Sequence, residues 1–529
     1  MTTRQLTILI CFVALLRVLF LGINGLELAP DEAYYWDWSR QLDICYYSKP
    51  PMVAWAIAAS TSIFGNNEFG VRLPAVLFGT VGLLALLYFV RLLYNERAAM
   101  WALLLVLCSP ANMLFNLLMT IDAPLMCYWT LSLLGIANAI SPKGHIEEDR
   151  SQPRWVWWAF AGLFGGLGIL SKQTAFAIPA MTGFFLLITP QVRSHLWRGF
   201  LLYSGMLVAA FTPILYWNSH NGWITFVHTA EHFGSKKTFD STFDYIGDRI
   251  GDFVGFAAAE FALASPISFV MMAICTIACT IGFFRLMPSQ RWLYLMGPLP
   301  FIGVFGLAML QRVQPNWPAP FLITTITLTA GYFEAQLAHK DRSFLKIPAS
   351  RWLKSAVIVG GVMSLAFYLI PVFVALPGIC PRVEQATRRI HEWDRFAADI
   401  QKLREQADMP VDSFILYNGG RGEVSTLAFY LPDQPRIYLR ETDGIILNQH
   451  DWWMLHRYDM EQCLGKDALY IMSAYEGMDA ERHLDERIRA IFESIEHVGL
   501  SETVVGTGHT YRYHVFKAKG LKSWPPDEF

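Results

Sequence analysis

Over its first 376 residues the chain does not alternate apolar and polar positions; apolar residues run in long stretches broken by short polar loops. A hydrocarbon core takes about 20 apolar residues of helix. Windows of that kind fall at 6–23, 73–93, 98–118, 123–140, 155–170, 174–189, 200–217, 266–284, 292–310, 317–332 and 355–376. The pattern predicts an all-α polytopic membrane region of about eleven transmembrane helices. The first window is longer than the 7–15 residues of a signal-peptide core and lacks a small-residue cleavage site, so it reads as a retained helix. After residue 376 the pattern changes. A charged helix is expected over 382–406, followed by short strands in "SFILYN", "PRIYLR", "ALYIMS" and "YRYHVFK" with helices between them. The expected organisation is a membrane domain over 1–378, with its first loop at 25–72, and a soluble α/β domain over 379–529.

Composition agrees with that division. Of 529 residues, 54% are hydrophobic and 16% charged, against about 25% charged in ordinary soluble domains. Net charge is −2 with no basic tract, which argues against nucleic-acid binding. The eight cysteines form no CxxC pair, and those inside apolar runs behave as small hydrophobes. Lys and Arg concentrate in alternate loops (Arg91 and Arg97, Arg193 and Arg198, Arg285 and Arg291, Lys340 to Lys354). That bias predicts a cytoplasmic N-terminus. Loop 25–72 and the C-terminal domain are then expected on the outer, periplasmic side of a bacterial inner membrane. In an oxidising compartment Cys380 and Cys463 could pair; two free thiols is an equal alternative.

The polar residues of the outer loops are the candidate chemistry. The first loop opens with "PDEAYYWDWSRQLDICYYSKPP" and supplies Asp31, Glu32, Asp37, Asp43 and Lys49. Asp122 precedes Ala-Pro at the start of a window, Lys172 sits in "GILSKQ", and a later loop brings His220, His228, Glu231 and His232. Charges at one membrane face mark a site or a partner. Plainer roles exist for each. Asp31 suits a helix N-cap, the Tyr and Trp residues suit an interfacial belt, and Lys49 suits snorkelling. Arg17, inside the first window, could face a lipid phosphate or snorkel. "NGGRGE" at 418–423 suits a strand-to-helix turn better than a phosphate nest. Taken together, two carboxylates and two lysines on one face suit transfer of a sugar from a lipid phosphate. The lysines would stabilise the leaving phosphate, and a carboxylate would serve as base or favour an oxocarbenium-like transition state.

The strings "PDEAYYWDWSRQLD", "YYSKPPMVAW" and "FGNNEFGVRLPA" resemble the first outer loop of the dolichyl-phosphate-mannose–protein mannosyltransferase family, glycosyltransferase family 39, and of its bacterial lipid A aminoarabinose transferase branch. "MTIDAPL", "GILSKQTAFAIP", "FVHTAEHF" and "QPNWPAP" continue the likeness through the membrane region. The resemblance implies a GT-C fold and an inverting transferase. Asp31, with Glu32 beside it, would take the catalytic carboxylate position, and Asp122 would be the second essential acid. Lys49 and Lys172 would contact the donor phosphate, Glu231 and His232 would form the pair of the later loop, and Tyr35 and Arg72 are further site candidates. Ser48 stands where the aminoarabinose branch has a Glu before Lys-Pro. One His and a Ser do not make a metal site, so a divalent metal at His232 is a weak expectation and no other cofactor is expected.

The expected partners are therefore the membrane, a polyprenyl-phosphate-linked sugar donor, and a lipid A, lipopolysaccharide or other glycan acceptor. Protein O-mannosylation is the nearest variant. A transporter or flippase of a lipid-linked sugar is the alternative from another class, and it would place polar positions at the bilayer midplane.

Overall fold

The computed structural model describes residues 1–140, 154–231, 242–338, 343–344, 347–376, 383, 385, 387–439, 446–457, 460–505 and 509–524. Each apolar window falls on helix, but not always on one long helix. Among the described residues, five helices are long and apolar enough to cross a bilayer, including α1 (Thr3–Ile23), α4 (Glu68–Leu93) and α7 (Asp122–Ile140). Two more qualify if bent pairs count as single spans: α5 (Glu96–Leu107) with α6 (Pro110–Leu117), and α12 (Thr242–Leu263) with α13 (Pro266–Ile281). The 71° and 106° bends have local causes. Ser109 ends one helix and caps the next through the Asn112 N–H, and Ser265 adopts φ +67 ahead of Pro266. The helix α8 (Trp155–Ile169) is apolar but only 15 residues long.

Between these helices, the first loop folds as α2 (Pro30–Ser39) and α3 (Met52–Phe64). The first of these is not a surface helix: Tyr34, Trp36 and Trp38 are buried in a core shared with Phe429, Trp452 and Trp453 of the C-terminal domain. Trp36 meets the Phe429 ring edge-on at 4.9 Å. Loop and domain therefore bury one another.

The C-terminal domain is α/β, as its pattern predicted. Its sheet has the order β4-β3-β5-β7-β6, with β3 (Phe414–Asn418), β4 (Ile437–Leu439) and β5 (Ala468–Ala474) parallel and β7 (His509–Leu521) and β6 (Phe492–Val505) antiparallel. The strand at 492–505 was not among those expected. The continuous charged helix starts at Trp393 rather than at 382, as α19 (Trp393–Gln406). Glu392 stands before it at φ +70, and Glu27 from the first loop accepts the N–H groups of Trp393 and Asp394 at 2.6 and 3.1 Å. A carboxylate supplied from 366 positions away thus caps this helix. Cys463 is buried, and Cys380 lies outside the described residues, so their pairing does too.

Candidate active site

Four chain segments meet beside the first turn of α2. The deepest piece is Asp122, first residue of α7 and buried. Its Oδ1 accepts from Lys172 Nζ at 2.7 Å, and its Oδ2 accepts from Asn316 Nδ2 at 2.7 Å. Lys172 comes off the end of α8, where its N–H closes onto Gly168 O at 2.9 Å. Asn316 lies in "QPNWPAP", ahead of the helix α16 (Ala319–Ala338). Three helix ends thus supply one buried ion pair, braced by an amide.

Lys49 lies next to this pair because the backbone ties it there. The turn Tyr46–Lys49 closes through Tyr46 N–H to Lys49 O at 3.1 Å, and Met52 N–H donates to Leu170 O at 3.0 Å. Burial, and next the Lys172 ammonium, push the Lys49 ammonium down to about 8; Asp122, Arg421 and Asp31 act on it more weakly. Among the described residues Lys49 Nζ has no hydrogen-bonding or ion-pair partner. It is a cation in want of an anion.

Asp31 is not the helix cap. Ala29 precedes the helix, and it is Glu32 Oε2 that accepts the Ala29 N–H, at 3.0 Å. Asp31 projects outward, its side chain 63% exposed, and meets Arg421 Nη2 at 3.6 Å. Arg421 opens α20 (Arg421–Tyr430), and its guanidinium lies 4.9 Å from the Tyr34 ring centre. Burial and then the Asp31 charge push the Tyr35 hydroxyl well above its usual range; Arg421 opposes that push and Asp122 adds to it. Tyr35 therefore shares the field of all three.

Glu32 is placed otherwise. It is fully buried and takes Arg72 as a fork at 2.8–3.2 Å. Its Oε1 also accepts the Met119 N–H at 2.9 Å. Arg72 in turn donates to Leu26 O and Glu27 O at 2.7 and 2.6 Å. Glu32 and Arg72 bind together α2, α4 and the turn before Asp122, which leaves Glu32 no lone pair for chemistry.

The later loop touches the site at its edge. Glu231 ends α11 (Ile224–Glu231), and its charge reaches Tyr47; His228 packs on the Tyr47 ring at 4.7 Å. His220 turns back onto its own helix at Tyr216 O, and His232 lies outside the described residues. Ser48 is buried, and the described residues hold no group of three or more His, Cys, Asp or Glu able to take a metal. Arg17 does not snorkel. It is buried and donates to Asn112 Oδ1 at 2.7 Å and Tyr368 Oη at 3.1 Å.

A cavity of about 80 Å³ adjoins the Asp122 pair. Ala123 and Ala319 line it, with Phe78, Leu83, Met126 and Ile326 forming a mostly apolar wall that Asn112 and Asn116 interrupt. Charge at a helix-end cluster therefore adjoins grease, an arrangement suited to an amphiphile with an anionic head.

Asn316 and Arg421 are site residues that the sequence reading did not pick out. Both lie inside quoted motifs, and nothing in either motif shows what it faces.

The fold is that of the GT-C membrane glycosyltransferases. ArnT from Cupriavidus metallidurans, solved with undecaprenyl phosphate bound, superposes with a TM-score of 0.60 at 17% identity, over 96% of this chain and 97% of that one. Residues 48–217 match the family model described as dolichyl-phosphate-mannose-protein mannosyltransferase. Lipid A galacturonosyltransferase RgtD of Rhizobium johnstonii is 24% identical over 84% of this chain and 86% of its own length. An undecaprenyl phosphate-alpha-4-amino-4-deoxy-L-arabinose arabinosyl transferase of Pseudomonas aeruginosa is 26% identical, over only 40% of this chain and 39% of its own. The likeness read from the loop motifs is matched by the family model over residues 48–217, and the shared fold extends along nearly the whole chain.

Proposed function

We propose that this protein is an integral membrane glycosyltransferase. It moves a sugar from a polyprenyl-phosphate donor to lipid A, lipopolysaccharide or another glycan on the periplasmic side of a bacterial inner membrane, in a single inverting displacement. The observation that carries the reading is Lys49, a half-buried cation without a hydrogen-bonding or ion-pair partner among the described residues, which shares one electrostatic cluster with the Asp122–Lys172 and Asp31–Arg421 pairs.

In this reading the donor's isoprenoid lies along the apolar wall and its phosphate meets Lys49. An acceptor oxygen bonds to the anomeric carbon while the bond from that carbon to the phosphate oxygen breaks. The electron pair leaves with the lipid phosphate, and its growing charge is held by Lys49 with Lys172 behind it. An acceptor hydroxyl gives its proton to Asp31. An acceptor phosphate, already ionised, has none to give, and Asp31 then serves the oxocarbenium-like transition state. Asp122 holds Lys172 in place.

A transporter of the same lipid would need its polar groups at mid-span. Here the charges of the cluster, Asp122 and Lys172 among them, sit at helix ends, which favours the enzyme. The test is transfer in vesicles from undecaprenyl-phosphate sugars to lipid A or to a Ser/Thr peptide. Labelled product from wild type, absent with Asp31→Asn, supports the proposal; product on the peptide alone favours protein O-mannosylation, and flipping without product overturns the enzyme reading. The eleven-span topology, cytoplasmic N-terminus and periplasmic C-terminal domain belong to the same proposal. Reporter fusions at Ser141 and Ser425 should give opposite signals, and like signals would refute it.

A further inference from the structure

We infer that Arg421, carried by the C-terminal domain, is a second anion-binding position. It receives an oxyanion of the reacting sugar or of the acceptor, distinct from the carrier phosphate, and gives up Asp31 in exchange. The inference rests on the glycosyltransferase reading above.

Two arginine–carboxylate pairs at the first turn of α2 differ in kind. Arg72 and Glu32 form a fork at 2.8–3.2 Å, wholly buried. Arg421 and Asp31 make one contact at 3.6 Å, with side chains 46% and 63% exposed. An arginine that locks a carboxylate for structure uses two parallel hydrogen bonds. A single long contact in reach of water can be exchanged.

The guanidinium is nonetheless well placed. It rests on the Tyr34 ring, and that ring is immobile: Tyr34 is buried, and its hydroxyl accepts the Gln449 N–H at 2.7 Å. Gly422 fixes the approach of the whole helix. A Cβ there would stand 2.6 Å from Pro30 Cβ, so only glycine lets the first turn of α20 press on the first turn of α2. That contact sets Arg421 beside Asp31.

The other cations of the cluster already have duties. Lys172 is held by Asp122, and Lys49 is the partner for the carrier phosphate. Arg421 is the cation with a partner it can release, and its planar fork matches a carboxylate or a phosphate. While Arg421 lies near Asp31 it draws on part of that carboxylate's charge; when a substrate oxyanion takes the guanidinium, Asp31 keeps its full charge for the acceptor.

The oxyanion could be the carboxylate of a uronic acid on the donor or a phosphomonoester on a glycolipid acceptor. Four combinations separate them: a uronosyl or the corresponding neutral hexosyl donor on undecaprenyl phosphate, each with intact or dephosphorylated lipid A. Wild type, Arg421→Gln and Arg421→Lys are compared in kcat/KM. Arg421→Gln should fall on the order of 100-fold wherever the recognised oxyanion is present and change far less, without a fall of that size, where it is absent, with Arg421→Lys between. Dependence on the donor's carboxylate names the sugar; dependence on the acceptor's phosphate names the acceptor. An equal fall in all four combinations means Arg421 only supports the fold, no fall means it is idle, and either overturns the inference. If wild type transfers from no undecaprenyl-phosphate donor, it is the glycosyltransferase reading that falls.

Discussion

Asp31 and Glu32 are neighbours in sequence with opposite fates. Glu32 is buried, forked to Arg72, and further bonded to two backbone N–H groups. Asp31 points outward toward one loosely held guanidinium. Saturation, more than burial alone, separates them. A carboxylate whose lone pairs are all used braces the fold, whereas one with an exchangeable partner can accept a proton. The same contrast holds for the lysines, since Lys172 is bound to Asp122 while Lys49 has no partner among the described residues.

The hardest test of that contrast is to neutralise each carboxylate in turn. Asp31→Asn should accumulate normally and lose transfer by 10²–10⁴-fold. Glu32→Gln should instead lose about 3–5 kcal/mol of stability, because it leaves Arg72 buried without its counter-charge. Thermal unfolding in detergent together with turnover separates the two outcomes, and normal turnover in Asp31→Asn would end the catalytic assignment.

The lysines differ by pH. With its ammonium at about 8, Lys49 is charged at pH 7 and loses its proton as pH passes that value. Donor KM should therefore rise between pH 7 and 9, by up to about tenfold per unit beyond the midpoint. Lys49→Arg should flatten that rise, and an unchanged pH profile in it would remove Lys49 from phosphate binding.

A smaller effect is expected where the two regions touch. Gly422→Ala sets a Cβ against Pro30 and should cost about 1–3 kcal/mol, with kcat/KM lowered because Arg421 and Asp31 are pushed apart. Wild-type stability and activity would show that the contact relaxes freely. Smallest of all, Glu27→Gln weakens the cap on α19, at about 1 kcal/mol. Hydrogen exchange should speed up at Trp393 and Asp394 while turnover stays unchanged.

Much of this was legible in the chain. The apolar windows found the helices because a long greasy run has few other fates, and four of the loop charges, Asp31, Lys49, Asp122 and Lys172, lie in one electrostatic cluster. Span count was less legible: Ser109–Pro110 and Ser265–Pro266 break helices whose hydropathy runs on across the break. The strand at 492–505 was overlooked because "FESIEHVGLSETVV" is half polar, as an edge strand can be. Asp31 and Glu32 could not be told apart, since their difference is made by Arg72 and Met119, 40 and 87 positions further on. Asn316 and Arg421 were illegible for the same reason: each is ordinary in its own segment and becomes chemical only by what it meets.

Arg421 is encoded after every apolar window, and ribosomes build chains from the N-terminus. The segments bearing Asp31, Lys49, Asp122 and Lys172 are therefore synthesised well before the segment that completes the site. A nascent or truncated chain holds four of the five charges and lacks the one that pairs with Asp31. Completion of the site is thus an event in time as well as in space: the membrane bundle waits for its last domain to fold against α2 before it has a finished mouth.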